Sequence, residues 1–254
     1  MTQEWAVVTG ASAGLGIAFA EHLAKQGSNV ILAARRKDKL TEVSQRLERS
    51  YGVRTRVAPV DLSTEAGRAD FVDEVRNTHV HTLVNNAGFG SVGKFAELDP
   101  SRISQETSLD VGALTDLSRA VVEGMMGRRR GAIINVASTA AFQPIPEMAV
   151  YAAAKGYVLQ FTIALWQELY DTGVRAVAIC PGPTDTEFFS NAGDDSVLTE
   201  RRTPEQVVAT AFKALEEHRP FAVDGIGNRA LALANRVAPR GLQARIAKLV
   251  LRNS

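Results

Sequence analysis

The apolar run Trp5-Ala6-Val7-Val8 leads directly into Thr9-Gly10-Ala11-Ser12-Ala13-Gly14-Leu15-Gly16. This order predicts a buried strand, a glycine turn and the start of a helix. Gly10 lets the chain turn tightly, Gly14 lets backbone amides approach a pyrophosphate, and Gly16 lets the helix pack closely on the strand. The helix N-terminus offers unpaired N–H groups and a partial positive charge to an anion, with Ser12 and Leu15 in the same cradle. The spacing is G-x-x-x-G-x-G rather than G-x-G-x-x-G, and an ordinary turn is the competing reading of this string alone.

The rest of the chain narrows the choice. Apolar runs predict strands near residues 5–9, 29–34, 53–59, 81–85, 131–137, 174–180 and 220–223. Helical periodicity fills the segments near 14–26, 37–50, 64–77, 101–127, 150–171 and 204–218. Strands that alternate with helices imply right-handed crossovers and a parallel sheet covered on both faces, a doubly wound, Rossmann-type α/β fold. Gly27 stands where a left-handed helix cap belongs, and Thr203-Pro204-Glu205 sets a capping hydroxyl before a first-turn proline. The chain of 254 residues carries a net charge of +1, which gives no reason to expect nucleic acid as a partner. Its single cysteine, Cys180, predicts a small core residue in a reducing, cytoplasmic setting. The N-terminus shows no signal peptide, and no apolar run reaches membrane-spanning length. His79 and His81 have no cluster of carboxylates or thiols around them in sequence, so no metal site is expected.

Several strand ends carry candidate chemistry. The second strand ends in Arg35-Arg36, with guanidinium groups where a carboxylate would accept a ribose 2′-hydroxyl; this favours a 2′-phosphate, hence NADP(H). Asp61-Leu62 follows the third strand, where a carboxylate can accept from an adenine amino group. Asn85-Asn86-Ala87-Gly88 ends the fourth strand in a compact turn able to approach a ribose. Ser138 ends the fifth strand, and Tyr151 and Lys155, four residues apart, share a helix face. An ammonium near a phenol stabilises phenolate and lowers its pKa, so Tyr151 can pass a proton to or from a carbonyl or alcohol oxygen. Ser138 can hydrogen-bond the same oxygen.

These motifs together, T-G-x-x-x-G-x-G at 9–16, N-N-A-G at 85–88, Ser138, Y-x-x-x-K at 151–155 and P-G-x-x-x-T at 181–186, resemble the short-chain dehydrogenase/reductase family over about residues 3–225. The resemblance implies a seven-stranded sheet in the order 3-2-1-4-5-6-7. It implies Tyr151 as acid/base, Lys155 as ribose binder and pKa modifier, and Ser138 as donor to the substrate oxygen. It further implies that Pro181, Gly182 and Thr186 line the nicotinamide end and that Phe188 and Phe189 begin a substrate-covering segment. Pairing through the helices at 101–127 and 150–171 would give a homodimer or homotetramer. One departure stands out: Asp110 occupies the place of an asparagine that supports a proton path to the lysine. An ionised Asp110 only accepts hydrogen bonds; it either pairs with Lys155 and alters the pH profile, needs a proton to serve, or impairs the site.

The segments 89–93, 139–146 and 183–190 hold few charges, and Phe89, Phe142, Phe188 and Phe189 point to an apolar substrate. The sequence divides into a domain at 1–225 and an extension at 226–254. That extension holds six cations and no acid, leaving the remainder at about −5 by difference. Leu242, Ile246, Leu249 and Val250 fall on one helical arc, which packs on the domain or a neighbouring subunit, touches an anionic membrane surface, or lies near the entry of a hydrophobic substrate. The reading that follows is an NADP(H)-dependent oxidoreductase acting on a small apolar carbonyl or secondary alcohol. A non-catalytic NADP-binding sensor or scaffold, or a membrane-surface reductase of lipid or steroid carbonyls, stands as the alternative.

Overall fold

The computed structural model describes residues 4–186 and 201–252. Seven parallel strands form one sheet in the order β3-β2-β1-β4-β5-β6-β7. They are β1 (Trp5–Thr9), β2 (Asn29–Ala34), β3 (Thr55–Pro59), β4 (Val80–Asn85), β5 (Gly131–Val136), β6 (Val174–Cys180) and β7 (Phe221–Val223). The central strands are buried on both faces, so they read as continuous apolar runs rather than alternations. β3 lies at an edge, with Arg56 and Pro59 exposed.

The helices divide between two layers. Ala6, Val8, Val30, Leu32, Val84 and Ile134 face α1 (Gly14–Lys25), α2 (Lys37–Tyr51) and α7 (Pro204–Glu216), through Phe19, Leu23, Leu40, Leu47 and Phe212. Val7, Ile31, Leu83 and Ile133 face α3 (Glu65–Arg76) and α5 (Leu114–Gly127), through Phe71, Val75, Leu117, Val121 and Met125. α6 (Ala149–Glu168) buries Val158 and Leu159 against Ala178 and Cys180. Gly27 takes the left-handed conformation (φ 84°) after α1. Thr203 and Gln206 close a capping box, with Gln206 N–H donating to the Thr203 hydroxyl at 3.4 Å and Thr203 N–H to the Gln206 side chain at 3.1 Å.

Two helical segments differ from the sequence expectation. The single helix expected over 101–127 is α4 (Pro100–Thr107), a π-helical stretch (Ser108–Ala113) and α5. A π turn holds one extra residue within a continuous helix, which apolar periodicity does not reveal. Residues 226–252 form two helices, α8 (Ile226–Val237) and α9 (Arg240–Arg252). They are joined to the domain: Asn235 Nδ2 donates to Gln143 Oε1 at 2.8 Å and Arg240 donates to the Phe142 carbonyl at 3.1 Å.

The order of strands reverses at β1, whose neighbours are β2 and β4. The loops after β1 and β4 therefore diverge to opposite sides of the sheet and leave a crevice at their carboxyl ends, where open α/β sheets bind ligands.

Candidate active site

A cavity of about 780 Å³ occupies this crevice. Gly10, Ser12, Gly14, Leu15, Arg35, Arg36, Asp61, Leu62, Asn86, Ala87, Gly88, Pro181, Gly182 and Thr186 all line it, as do Ser138, Tyr151 and Lys155. Gly16 and Asp110 do not reach its wall and sit behind it.

The turn after β1 depends on its glycines. Gly10 (φ 66°) and Gly14 (φ 49°) both adopt left-handed backbone that disfavours a side chain. A Cβ on Gly16 would collide with the Gly10 carbonyl, which is why the helix can start so close to the strand. The loop is fastened to β4 from two sides. Thr9 Oγ1 accepts from the amides of Asn86 at 3.0 Å and Ala87 at 2.9 Å, and Asn86 Nδ2 donates to the Thr9 carbonyl at 2.9 Å. At the far end Arg36 donates to the Ser12 carbonyl at 3.2 Å and to its hydroxyl at 3.4 Å, while the Arg35 side chain is exposed at the cavity rim. Asp61 spends one oxygen on its own turn, accepting from Ser63 N at 3.0 Å and Ser63 Oγ at 2.6 Å.

A buried polar ladder fixes the strands that carry the chemistry. Asn85 Nδ2 donates to Asn135 Oδ1 at 2.9 Å and to Ser118 Oγ at 3.0 Å; Asn135 Nδ2 donates to Thr162 Oγ1 at 2.9 Å. The ladder joins β4, β5, α5 and α6 by direct side-chain hydrogen bonds. The sequence reading missed Thr9, Asn135 and Thr162 as supports, although a lone amide inside the apolar run Ile133-Ile134-Asn135-Val136 was a visible signal.

Ser138, at the end of β5, caps a short 3₁₀ turn (Thr139–Phe142), with Ala140 N–H donating to its hydroxyl at 3.1 Å. That turn packs on α6, and the Ser138 hydroxyl hydrogen-bonds Tyr151. Lys155 Nζ lies 5.5 Å from the centre of the Tyr151 ring, donates to the Val136 carbonyl at 3.3 Å and pairs with Asp110 Oδ2 at 3.0 Å. The other Asp110 oxygen accepts from Phe89 N at 3.1 Å. Gly88 leaves room for this pair: a Cβ there would stand 2.7 Å from Asp110 Oδ1 and 3.0 Å from Lys155 Nζ. Of the three readings of Asp110 left open by the sequence, the geometry is that of an ion pair with Lys155.

The electrostatics correct one expectation. Lys155 and the Ser138 hydrogen bond do favour phenolate, but burial outweighs them and holds the Tyr151 pKa above its ordinary value, with Asp110 pushing the same way. Burial likewise raises the Asp110 carboxyl against the pull of Lys155. Lys155 is held charged, because Asp110 and the phenol outweigh its desolvation. A buried ammonium already neutralised by a carboxylate has less field to spend on a neighbouring phenol.

Phe89 lines the cavity beneath the Arg102 guanidinium, 4.9 Å from the ring centre. Phe142 does not line it. The 3₁₀ turn directs its ring toward Phe221 of β7, with centroids 6.0 Å apart, a packing position away from the described cavity wall. Phe188 and Phe189 lie outside the described residues. The apolar wall is made instead by Leu109, Ile145, Met148, Leu231 and Ile246; Ile145 falls in the 139–146 segment and Ile246 on the C-terminal arc that the sequence marked, whereas Leu109, Met148 and Leu231 carried no such signal. Leu231 and Ile246 come from α8 and α9. Asn228, also from α8, covers Gly182 so closely that a Cβ there would clash with its amide.

The short chain dehydrogenase family model matches residues 4–196. A hydroxysteroid dehydrogenase-like protein 1 of Gallus gallus is 31% identical over 88% of this chain and 65% of its own length. A very-long-chain 3-oxoacyl-CoA reductase of Homo sapiens is 31% identical over 84% of this chain and 68% of its own length, so the match spans about two thirds of these relatives. A short-chain dehydrogenase from Sphingobium yanoikuyae, solved in complex with NADPH, superposes with a TM-score of 0.85 at 30% identity, covering 92% of this chain and 93% of that one.

Proposed function

The chain belongs to the short-chain dehydrogenase family of oxidoreductases, and on that premise we propose that it uses NADP(H) to interconvert an apolar ketone or aldehyde and its alcohol. The observation that carries this reading is the convergence of Ser138, Tyr151 and Lys155 on the same cavity wall as the glycine turn.

The residues fit a dinucleotide. Gly10, Gly14 and Gly16 leave a cradle that side chains would fill, and the amides at the start of α1 face it. Asp61 has an oxygen to offer an adenine amino group. Arg35, Arg36 and Ser12 sit together at the end of β2 with no carboxylate among them, which suits a 2′-phosphate. When bound, the reduced dinucleotide supplies the hydride.

The chain's own residues handle the oxygen and its proton. Ser138 orients the substrate carbonyl by donating a hydrogen bond. Tyr151, held protonated by burial, gives its phenolic proton to that oxygen as the alcohol forms, and takes it back in the oxidising direction. Lys155 remains charged beside it and stabilises the phenolate left behind. Apolar side chains at 109, 145, 148, 231 and 246 exclude water and receive the body of the substrate. The names of the two curated relatives, a 3-oxoacyl-CoA reductase and a hydroxysteroid dehydrogenase-like protein, agree with a large apolar carbonyl compound.

The test is Tyr151→Phe. Cofactor affinity should stay within about twofold and turnover on a panel of apolar ketones should fall by about 10²–10⁴, the range for losing a general acid. Near-normal turnover would refute the role.

A peripheral membrane contact is favoured by one further observation. No helix among the described residues is long and apolar enough to cross a membrane. Leu231 and Ile246 nonetheless line the cavity while about half exposed, and Leu233, Val237, Leu242 and Leu249 continue the apolar surface outward. Arg229, Arg236, Arg240, Arg245 and Lys248 accompany them. Such a surface suits anionic lipid and would let an apolar substrate enter without crossing water.

A further inference from the structure

Behind the Asp110–Lys155 pair lies a second carboxyl group that the mechanism above does not use. Glu106, in the last turn of α4, is fully buried, and neither of its oxygens has a hydrogen-bond partner of good geometry among the described residues. It precedes Asp110 by one helical turn, and both project from the same side of the run that the π stretch continues. The charged and titratable groups that bear on it are Arg102 and Asp110 from its own helical run and Lys155 and Tyr151 from α6. Ser91, itself buried, is its neighbour from the loop after β4. The Ser91 hydroxyl oxygen accepts from Arg102 Nε at 3.1 Å, so its own proton is left to donate.

Charge balance decides the state of Glu106. Lys155 and Asp110 already neutralise each other at 3.0 Å. An ionised Glu106 would add a second negative charge to a dry interior beside the Asp110 carboxylate, with Arg102, already donating to Ser91 Oγ and the Gly90 carbonyl, as its nearby cation. A carboxyl in that position keeps its proton. Burial, the largest influence, and the Asp110 charge act in this direction and outweigh the opposite pull of Ser91 and Arg102.

We propose that Glu106 is a protonated carboxyl at neutral pH that stores the proton used to recharge Tyr151, with Asp110 and Lys155 as the connection. When Tyr151 protonates the substrate oxygen, its phenolic O–H bond breaks and the alcohol O–H bond forms. An N–H bond of Lys155 then yields a proton as the phenol O–H re-forms. Lys155 regains its proton from the Glu106 carboxyl through Asp110, which leaves Glu106 ionised until it is reprotonated from solvent by way of Ser91. No electrons move in these steps. Glu106 is a positioning and proton-holding residue and touches no substrate. This role rests on the proposed function, because it is Tyr151 turnover that draws on the store.

Two measurements test it. Infrared difference spectra of the wild type against E106Q, on cofactor-free protein at neutral pH, read a protonated carboxyl directly. The band is expected in the wild type, shifted in deuterium oxide and absent from the variant. In steady state E106Q is expected to keep the KM for NADPH within about twofold, to lose about tenfold in kcat, and to show a larger solvent deuterium isotope effect on kcat, since proton delivery becomes limiting. Glu106→Asp should recover part of kcat. E106M, similar in volume, replaces E106Q in both measurements if the amide variant does not fold. A wild-type protein without the band, or a variant with kcat and isotope effect within twofold of wild type, overturns the proposal. The band needs no turnover, so a failure of the Tyr151 role leaves it in place, and its absence leaves the Tyr151 role untouched.

Discussion

Asp110→Asn removes the negative charge that faces Lys155 and keeps the shape of the side chain. Lys155 Nζ stands 5.5 Å from the Tyr151 ring centre and 3.0 Å from Asp110 Oδ2. The carboxylate is therefore at most about 8.5 Å from the ring, where its repulsion of a phenolate is about 2 kcal/mol at an effective dielectric constant of about 20. That energy corresponds to a pKa change of about 1–1.5 units. Its sign is fixed: losing a negative charge favours phenolate and lowers the Tyr151 pKa. The assay is the pH dependence of kcat in both directions. Carbonyl reduction needs the protonated phenol, so its alkaline decline should move about one unit toward acid. Alcohol oxidation needs phenolate, so its rise should move toward acid by the same amount. Profiles that superpose on wild type, or move toward alkali, would refute the electrostatic reasoning, because no rearrangement that leaves Lys155 charged and in place reverses the sign.

Arg35→Asp puts a carboxylate at the end of β2. We expect the kcat/KM preference for NADPH over NADH to fall by about 10–100-fold, the worth of one charge-assisted hydrogen bond to phosphate; an unchanged ratio would remove Arg35 from cofactor choice. Leu233 and Leu249 are exposed on α8 and α9. Wild-type protein should float with anionic vesicles at low salt and sediment at high salt, and the double substitution Leu233→Asp, Leu249→Asp should abolish flotation while leaving turnover of a water-soluble ketone intact. Equal behaviour of the two proteins would end the lipid-surface reading.

The sheet was legible because strands buried on both faces are mostly apolar runs, as in β1 and β2, and even β4 and β6 break theirs at only a few positions, while the edge strand β3 showed by its place between two helical segments. The glycine turn was legible because only glycine tolerates the backbone at positions 10 and 14. Tyr151 and Lys155 were legible because a spacing of four puts them on one helix face. Other features depended on distances through space. Phe142 carries the right residue type for a substrate wall, yet a 3₁₀ turn aims it at Phe221. Leu231 and Ile246 lie far along the chain from the cavity they line, and only the packing of α8 and α9 brings them there. Glu106 looked like one more polar residue in an amphipathic helix, because composition does not reveal which polar residue faces inward. The Tyr151 acidity was misjudged for the same reason: the helpful ammonium is visible in sequence, whereas the cost of its dry surroundings is not.

The π-helical stretch at Ser108–Ala113 has a consequence for how this protein tolerates insertions and deletions. One surplus residue wound into the run offsets α5 from α4 by about a quarter turn, a helical residue subtending about 100°. Excising a single residue such as Gly112 would let the coil tighten into an uninterrupted α-helix, and α5 could stay seated on the sheet only if everything before the cut rotated. Glu106 and Asp110 would swing away from Lys155 together. The arrangement of charge at the heart of the molecule is thus written in the tally of positions between two anchored helices as much as in the identity of any one of them.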